Sequence, residues 1–278
     1  MPDFLEKLNN ACAASRSLVC VGLDPDPSQM PVADVSEFNR AIIEATADLV
    51  CAYKPNLAFY EALGLPGLKA LESTVGYIRQ TSPAAVILGD AKRGDIGPSG
   101  EAYARAMFQV WDFDAVTVNA WGGHDTVAPF LKDPQRGVFI WCRGSNPGSA
   151  DLQDLLLSAD EGAAPLYQHL AQLADQWNKN GNVGLVVGAT VPRQLAETRR
   201  LCPNLPLLIP GVGAQGGDLE AAVRQGVDAS GRLAIINSSR GIIYASRGPD
   251  FAQAARRETA RLRDTINQVL ESQGAAWP

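Results

Sequence analysis

The sequence is poor in histidine and cysteine, and it contains no long apolar run. Its 278 residues include two histidines and five cysteines, and no two cysteines form a CxxC pair. An odd, scattered set of cysteines is typical of reduced thiols and argues against a disulfide framework or a zinc site. No apolar run approaches the roughly 18 residues of a membrane-spanning helix, and the first residues lack the pattern of a signal peptide. The sequence therefore predicts a cytoplasmic protein with no membrane anchor and no bound metal.

The chain carries no large excess of positive or negative charge. The 24 lysines and arginines stand against 30 acidic residues, and the resulting net charge of −6 argues against a broad surface for nucleic acid or membranes. A few basic groups at one site are still enough to bind a small anionic substrate. The apolar fraction of 46% and the charged fraction of 19% are typical of a globular protein with a substantial core.

Eight short apolar runs predict strands. They are continuous rather than alternating, which is typical of parallel strands buried on both faces, and helical patterns lie between them. This alternation predicts a single (β/α)8 TIM-barrel domain over residues 1–278, and the absence of a composition break favours it over a doubly wound open sheet. The predicted strands are Ser17–Asp24, Asp48–Pro55, Ala85–Lys92, Ala115–Ala120, Gly137–Cys142, Val183–Thr190, Leu205–Gly211 and Leu233–Ser239.

Some features between these strands are more specific. We predict an extra helix at about 3–14, before the first strand. Ser36 is a predicted N-cap, and Pro192 is a predicted first helical residue. The longest irregular stretch, residues 142–165, is predicted to be a lid, because long loops without clear structure are usually functional or disordered.

Charged residues stand where several predicted strands end, which is where barrels build their active sites. The chain has six lysines, and two of them, Lys54 and Lys92, end apolar runs. In "DAKRGD", Asp90 and Lys92 are two residues apart and would share one face of a strand, and Asp95 follows three residues later. A lysine between two carboxylates would stay protonated, which suits proton donation or charge stabilisation better than Schiff-base chemistry.

A GxGxxG motif follows the seventh predicted strand, at Gly211, Gly213 and Gly216. A dinucleotide fold is disfavoured, because the motif lies late in the chain and the next strand ends without an acid to hold a ribose. Barrels often bind phosphate after strands seven and eight, through backbone N–H groups and a helix N-terminus. Gln215 and Arg240 would add side-chain donors to such a site.

The histidines and cysteines form no recognisable catalytic cluster. His124 follows the fourth strand near the mouth of the predicted barrel, and His169 lies in a predicted helix; neither belongs to a metal-type cluster. Cys142 is interpreted as an apolar strand residue, because no histidine is positioned by the sequence to activate it.

Several motifs together resemble one known family. "DAKRGDIG" has the D-x-K-x-x-D pattern of the orotidine 5′-phosphate decarboxylase family. "VGLDPD", "YKPN", "GSNPG", "PGVGAQGG" and "SSRGIIYA" follow the order of its longer bacterial form. The resemblance covers nearly the whole chain. It implies decarboxylation of orotidine 5′-phosphate to uridine 5′-phosphate, the last step of de novo UMP synthesis, without cofactor or metal.

The resemblance also implies roles for individual residues. Lys92 resembles the proton donor, Asp90 the aspartate beside the substrate carboxylate, and Lys54 the lysine that holds this array together and contacts the ribose. Asp95 resembles the aspartate that reaches the neighbouring site of a homodimer, accompanied by Ile96 and by Ser99, where the family usually has threonine. The other implied substrate contacts are Asp24 at the ribose, Ser145 at the pyrimidine, Gln215 and Arg240 at the phosphate, and Gly213 and Ser239 beside them.

Two alternatives remain open at this point. A 3-keto-gulonate 6-phosphate decarboxylase shares the D-x-K-x-x-D pattern but uses magnesium and has glutamate where this chain has Lys54. A non-catalytic nucleotide-binding barrel is the other, although such a module has no need for Asp90, Lys92 and Asp95 together.

Overall fold

Eight parallel strands close into a barrel in the computed structural model, which describes residues 2–158, 163–213 and 216–277. The last strand pairs with the first, with Cys20 opposite Asn237. This confirms the predicted (β/α)8 fold and excludes the open sheet. The barrel strands are β1 (Val19–Leu23), β2 (Ala52–Pro55), β3 (Val86–Arg93), β4 (Ala115–Val118), β5 (Gly137–Arg143), β8 (Val183–Val187), β9 (Leu207–Pro210) and β10 (Ala234–Ser238), and an antiparallel ribbon outside the barrel consists of β6 (Leu156–Leu157) and β7 (Ala164–Pro165).

Helices connect the strands and cover the outside of the barrel. A π-helical turn over Ala106–Val110 follows the fifth helix, and a 3-10 turn lies at Pro147–Ser149. No described helix has both the length and the apolar character needed to cross a membrane. The helices are α1 (Phe4–Ser15), α2 (Val35–Thr46), α3 (Leu57–Glu61), α4 (Gly64–Thr81), α5 (Gly97–Arg105), α6 (His124–Leu131), α7 (Ala150–Gln153), α8 (Leu166–Trp177), α9 (Pro192–Leu201), α10 (Leu219–Gly226), α11 (Arg240–Ile243) and α12 (Phe251–Ser272).

Two of the helix starts were predicted from capping signals. α9 begins at Pro192, as expected, because the missing N–H of proline has no partner to lose in the first turn. The predicted N-cap at Ser36 is wrong. Asp34 caps α2 instead, since its carboxylate accepts a hydrogen bond from the Glu37 N–H at 2.7 Å.

The barrel strands are buried on both faces, which explains their continuous apolar runs. All five residues of β1 and all five of β8 are buried. Phe139 and Tyr53 are among the largest fully buried side chains, and each such burial stabilises the fold by about 2 kcal/mol. The core therefore fills the barrel and the layer between the strands and the helices.

Helix α1 covers the amino-terminal end of the barrel. Phe4 is fully buried and packs edge-to-face on Phe139, with ring centroids 5.9 Å apart. Gly137 makes this possible, because a Cβ at that position would overlap the Phe4 ring. Asp3 and Glu6 form a capping box that fixes the start of the helix. The opposite end of the barrel, where the strands terminate, is left for the functional site.

A buried carboxylate fastens this amino-terminal end. The side chain of Asp114 is 3% exposed and accepts hydrogen bonds from Arg79 at 2.7 and 2.8 Å, from the Ile87 N–H at 2.8 Å, and from Lys7. Burial alone would raise the pKa of Asp114, but these partners, led by Arg79, hold it below its usual value. Its stabilisation is therefore present at neutral pH and is lost as the pH falls through the lowered pKa.

Replacing Asp114 by asparagine should destabilise the barrel without affecting its chemistry. We expect Asp114→Asn to lower the free energy of unfolding by about 3 kcal/mol, because the partly buried Arg79 and Lys7 lose their buried counter-charge. Asp48→Asn breaks the exposed pair with Arg256, 2.6 Å apart, and should cost below about 1 kcal/mol. Urea unfolding at neutral pH measures both variants. Equal, small losses would show that Asp114 is no anchor.

Candidate active site

A cavity of about 290 Å³ opens at the carboxyl ends of the barrel strands. Val186 and Leu208 contribute apolar surface from within β8 and β9, and the Trp141 side chain adds an aromatic surface. A concave, partly apolar pocket with a few convergent polar groups is typical of a small-molecule site. Seven of the predicted site residues line this cavity: Asp24, Lys54, Asp90, Lys92, Ser145, Ser239 and Arg240.

Asp90 lies between the two lysines that the sequence singled out. The Lys54 Nζ is 3.0 Å from the Asp90 Oδ2, and the Lys92 Nζ is 2.6 Å from the Asp90 Oδ1. On its other side, the Lys54 Nζ is 3.9 Å from the Asp24 Oδ1. Acidic and basic groups therefore alternate across the mouth of the barrel, from Asp24 through Lys54 and Asp90 to Lys92. We call these four residues the charged array.

The backbone of Lys92 departs from strand geometry. Its φ of 46° lies in the left-handed region, which is uncommon for any residue other than glycine. The pairing of β3 with β4 shifts register between Gly89 and Arg93. The expectation that Asp90 and Lys92 come together is met, but through an irregular strand rather than through simple alternation. Such conformations cost about 1–3 kcal/mol and cluster at functional sites.

Thr117 holds this irregular segment in place. Its Oγ1 accepts a hydrogen bond from the Lys92 N–H at 3.0 Å and donates one to the Asp90 Oδ1 at 2.8 Å. Thr117 is buried in β4, so one rigid strand fixes both the backbone of Lys92 and the carboxylate of Asp90.

The electrostatics of the charged array stabilise its ionised form. Burial would raise the pKa of Asp90, but the charges of Lys54 and Lys92, with hydrogen bonds from Lys92 and Thr117, hold it well below its usual value. Burial would likewise lower the pKa of Lys54, but Asp90 and Asp24 raise it above its usual value. Asp90 therefore stays a carboxylate and Lys54 stays an ammonium across the neutral pH range.

The loop after β5 is more ordered than the sequence indicated. Arg143 is 4% exposed and binds the Asp154 carboxylate through its Nε at 3.0 Å and an Nη at 2.8 Å. Its other Nη donates to the Gly144 carbonyl at 3.0 Å. Residues 142–165, predicted to be irregular, include the end of β5, a 3-10 turn, α7 and the ribbon β6–β7; residues 159–162 lie outside the described part.

The loop after β8 holds Ser145 at the cavity. Its carbonyl accepts a hydrogen bond from the Thr190 hydroxyl at 2.8 Å, and Gly188 leaves no side chain in the way of this approach. Ser145 is thus fixed within reach of a ligand in the cavity, together with its neighbour Gly144.

The glycine-rich loop after β9 borders the same cavity. Gly211, Gly213 and Gly216 have φ values of 98°, 72° and 81°, which only glycine adopts readily. Gly211 lines the cavity, whereas Gly213 lines a neighbouring one. Gln215, the predicted phosphate donor, lies outside the described residues.

Ser239 and Arg240 follow β10 on the same side of the barrel. Gly22 gives Ser239 its place, since a side chain at Gly22 would overlap the Ser239 hydroxyl. Both Ser239 and Arg240 line the cavity. Arginine binds phosphate oxygens through two N–H groups at once, so a phosphate group fits this corner.

Asp95, Ile96 and Ser99 lie outside the cavity of their own chain. All three are exposed, and Ile96 is 63% exposed. The Asp95 carboxylate accepts a hydrogen bond from the Ile96 N–H at 2.8 Å. Pro98 fits the first turn of α5, where no N–H is needed. In the described part of the chain, Lys92 is therefore paired with Asp90. The expectation that Lys92 lies between the carboxylates of Asp90 and Asp95 is not met within one chain.

Comparison with known proteins identifies the family. Residues 17–257 match the model of the orotidine 5′-phosphate decarboxylase / HUMPS family. The chain belongs to this family. A protein named orotidine 5′-phosphate decarboxylase from Roseiflexus sp. (strain RS-1) is 52% identical over 274 residues, covering 96% of this chain and 98% of the relative. One from Dehalococcoides mccartyi (strain CBDB1) is 49% identical and covers 95% and 97%.

Solved structures of similar chains agree with this family and fold. A crystal structure of a putative orotidine-monophosphate-decarboxylase from Toxoplasma gondii is 37% identical, with a TM-score of 0.88 and coverage of 98% and 97%. The structure of Leishmania donovani OMP decarboxylase is 39% identical, with a TM-score of 0.83 and coverage of 96% and 99%.

Three polar residues that line the cavity of this decarboxylase-family member were not predicted from the sequence. Thr117 and Asn237 line the cavity from β4 and β10, and Asn56 lines it just after β2. The signal was present, since an isolated polar residue in a buried apolar strand requires a partner. His124 begins α6 with its ring 5.3 Å from that of Trp177, away from the cavity. Cys142 is buried and its thiol donates to the Tyr167 carbonyl at 3.2 Å, consistent with an apolar strand residue.

The described ranges, 2–158, 163–213 and 216–277, contain no group of three or more histidine, cysteine or acidic side chains that could hold a metal ion.

Removing the Thr117 hydroxyl should weaken catalysis more than stability. We expect Thr117→Val to lower kcat by about 10- to 100-fold, because Asp90 loses a charge-assisted hydrogen bond and the Lys92 N–H loses its acceptor. Steady-state kinetics measures this change. Thr198→Val is the matched control, since in the described part of the chain that buried hydroxyl donates to the Gln194 carbonyl of its own helix at 2.8 Å. Equal effects on kcat in both variants would contradict the role of Thr117.

Proposed function

We propose that this chain decarboxylates orotidine 5′-phosphate to uridine 5′-phosphate and carbon dioxide, without cofactor or metal. The observation that carries the proposal is the charged array, in which Asp90 lies 3.0 Å from the Lys54 Nζ and 2.6 Å from the Lys92 Nζ. Relatives that carry this activity in their names, at 52% and 49% identity over nearly the whole chain, support it. The reaction is the last step of de novo UMP synthesis.

The charged array suits a reaction that leaves an electron pair on a ring carbon. When the carbon–carbon bond to the carboxylate breaks, carbon dioxide departs and the pair stays on the pyrimidine. Many decarboxylases delocalise such a pair into a cofactor. Here the Lys92 ammonium stabilises the developing charge and then donates its proton to that carbon. Solvent returns a proton to Lys92 before the next turnover.

Asp90 and Lys54 prepare the site for this step. Asp90 faces the substrate carboxylate and raises the energy of the bound ground state relative to the transition state, where that negative charge is leaving. Lys54 keeps Asp90 ionised and contacts the ribose, which Asp24 also binds. Ser145 contacts the pyrimidine ring.

The phosphate supplies binding energy at a distance from the chemistry. Arg240 and Gln215 bind it, with Gly213 and Ser239 beside them, at the loops where barrels commonly bind phosphate. This energy orders the charged array around the substrate. A lid role for the loop 142–165 rests on the exposed side chains of Leu155, Leu156 and Leu157 beyond the Arg143–Asp154 pair. The residues up to Asp154 form its fixed base.

The two alternatives have less support. A magnesium-dependent phosphosugar decarboxylase would place a cation among the carboxylates, but the Lys54 ammonium already lies between Asp24 and Asp90 and would repel it. A binding module without catalysis gains nothing from keeping a strained lysine next to Asp90.

Replacing Lys92 should nearly abolish turnover while the fold survives. We expect Lys92→Ala to lower kcat by about 10³-fold or more, because both proton donation and charge stabilisation are lost. Arg240→Ala should mainly lower kcat/KM, because the phosphate group of the substrate loses a binding partner. Loss of orotidine 5′-phosphate is followed spectrophotometrically, with and without EDTA. Lys132→Ala, which removes only an exposed partner of Glu101, is the control.

Substantial turnover by Lys92→Ala would refute the assigned role. An activity that EDTA abolishes and magnesium restores would instead favour the phosphosugar decarboxylase type.

A homodimer with shared sites is also part of the proposal. Asp95, Ile96 and Ser99 are exposed in the segment that directly follows the charged array, and Tyr103, further along α5, is 39% exposed. Exposed apolar side chains grouped along one segment are typical of an interaction surface. We propose that Asp95 completes the site of the partner chain, next to the partner's own Lys92.

Mixed dimers can distinguish this arrangement from one within a single chain. Lys92→Ala and Asp95→Ala should each be inactive alone. After subunit exchange at equal amounts, about half of the dimers are mixed and each contains one complete site, so about a quarter of wild-type activity should return. If Asp95 serves its own chain, no activity returns, and the shared site is refuted.

A further inference from the structure

Four buried side-chain oxygens have no hydrogen-bond partner in the described part of the chain, and two of them lie at the cavity. The four belong to Asp24, Asn39, Asn182 and Asn237. Asn39 and Asn182 are structural, since their amide nitrogens donate within the fold: Asn39 to the Tyr60 and Thr74 hydroxyls, and Asn182 to backbone carbonyls. Asp24 and Asn237 instead line the cavity.

Asn237 forms part of the wall deep in the barrel mouth. It is the fourth residue of β10, lies opposite Cys20 of β1 and Pro210 of β9, and is 5% exposed. Asn237 and Ser239, which follows the strand, both line the cavity. Val186 and Leu208, which line the cavity from β8 and β9 at the level of Ile235, are apolar.

An unpaired acceptor in such a place requires a donor. Leaving a buried carbonyl oxygen without a hydrogen bond costs about 1–3 kcal/mol. Leucine or valine would fit the same apolar surroundings without that cost. The asparagine is therefore explained if its partner arrives with the ligand.

We propose that Asn237 is a substrate-recognition residue whose Oδ1 accepts a hydrogen bond from an N–H or O–H group of the bound nucleotide. The inference rests on the proposed function, because that function makes the ligand a pyrimidine ribonucleotide. Uridine 5′-phosphate offers three such donors: the N–H of the ring and the 2′- and 3′-hydroxyls of the ribose. A pocket with one buried acceptor rejects an analogue that lacks the matching donor.

The test compares the binding of four ligands to the wild type and to Asn237→Leu, which replaces the amide by an apolar side chain of similar size. The ligands are uridine 5′-phosphate and its N3-methyl, 2′-deoxy and 3′-deoxy analogues, and isothermal titration calorimetry measures each dissociation constant. We expect Asn237→Leu to weaken the binding of uridine 5′-phosphate by about 10- to 100-fold. For one analogue, the variant and the wild type should bind with the same affinity, because that analogue lacks the group that donates to Asn237. The missing group of that analogue therefore identifies the donor.

Asn39→Leu is the matched control, because it removes another buried asparagine with an unpaired oxygen that lies outside the cavity. It should change the melting temperature but not the ratio of the four affinities. Should Asn237→Leu fail to fold, Asn237→Ser provides the same comparison with a smaller change.

If the variant bound all four ligands equally more weakly, or none of them more weakly, the proposal would be overturned, since the Asn237 oxygen would then face water or the protein alone. This outcome is separate from failure of the proposed function. Wild-type turnover of orotidine 5′-phosphate tests the function, whereas the ratio of variant to wild-type affinities tests Asn237.

Discussion

The site depends on one buried carboxylate that is neutralised from two sides. Taking an ion out of water costs several kcal/mol, and this cost is offset only when opposite charges and hydrogen bonds surround it. Lys54, Lys92 and Thr117 provide these for Asp90, from β2, β3 and β4. Because the groups come from three neighbouring strands, the closed barrel is a precondition for the charge arrangement.

The sequence predicted the barrel and most of the charged array, for physical reasons that operate locally. Continuous apolar runs identify strands buried on both faces, and a spacing of two residues predicts that Asp90 and Lys92 lie close together, although the strand that joins them is irregular. Spacing alone cannot predict how a strand pairs with its neighbour. The register shift between β3 and β4, and with it the role of Thr117, depends on contacts across 25 residues or more of sequence.

Other features escaped prediction because they depend on which of several equivalent residues the fold selects. Asp34 and Ser36 are both good capping residues, and only the actual start of α2 favours Asp34. The loop after β5 looked irregular, since the pair of Arg143 with Asp154 joins residues 11 apart without a periodic pattern. The anchor at Asp114 joins Lys7 and Arg79 to one carboxylate, and no local signal connects residues so distant.

The left-handed backbone of Lys92 places stability and activity in opposition at a single position. A φ of 46° favours glycine or asparagine over lysine. Variants selected only for thermal resistance would therefore tend to lose this lysine, and with it the proton donor that we propose. The proposed role in turnover accounts for a lysine at position 92, and the strands around it carry its conformational strain.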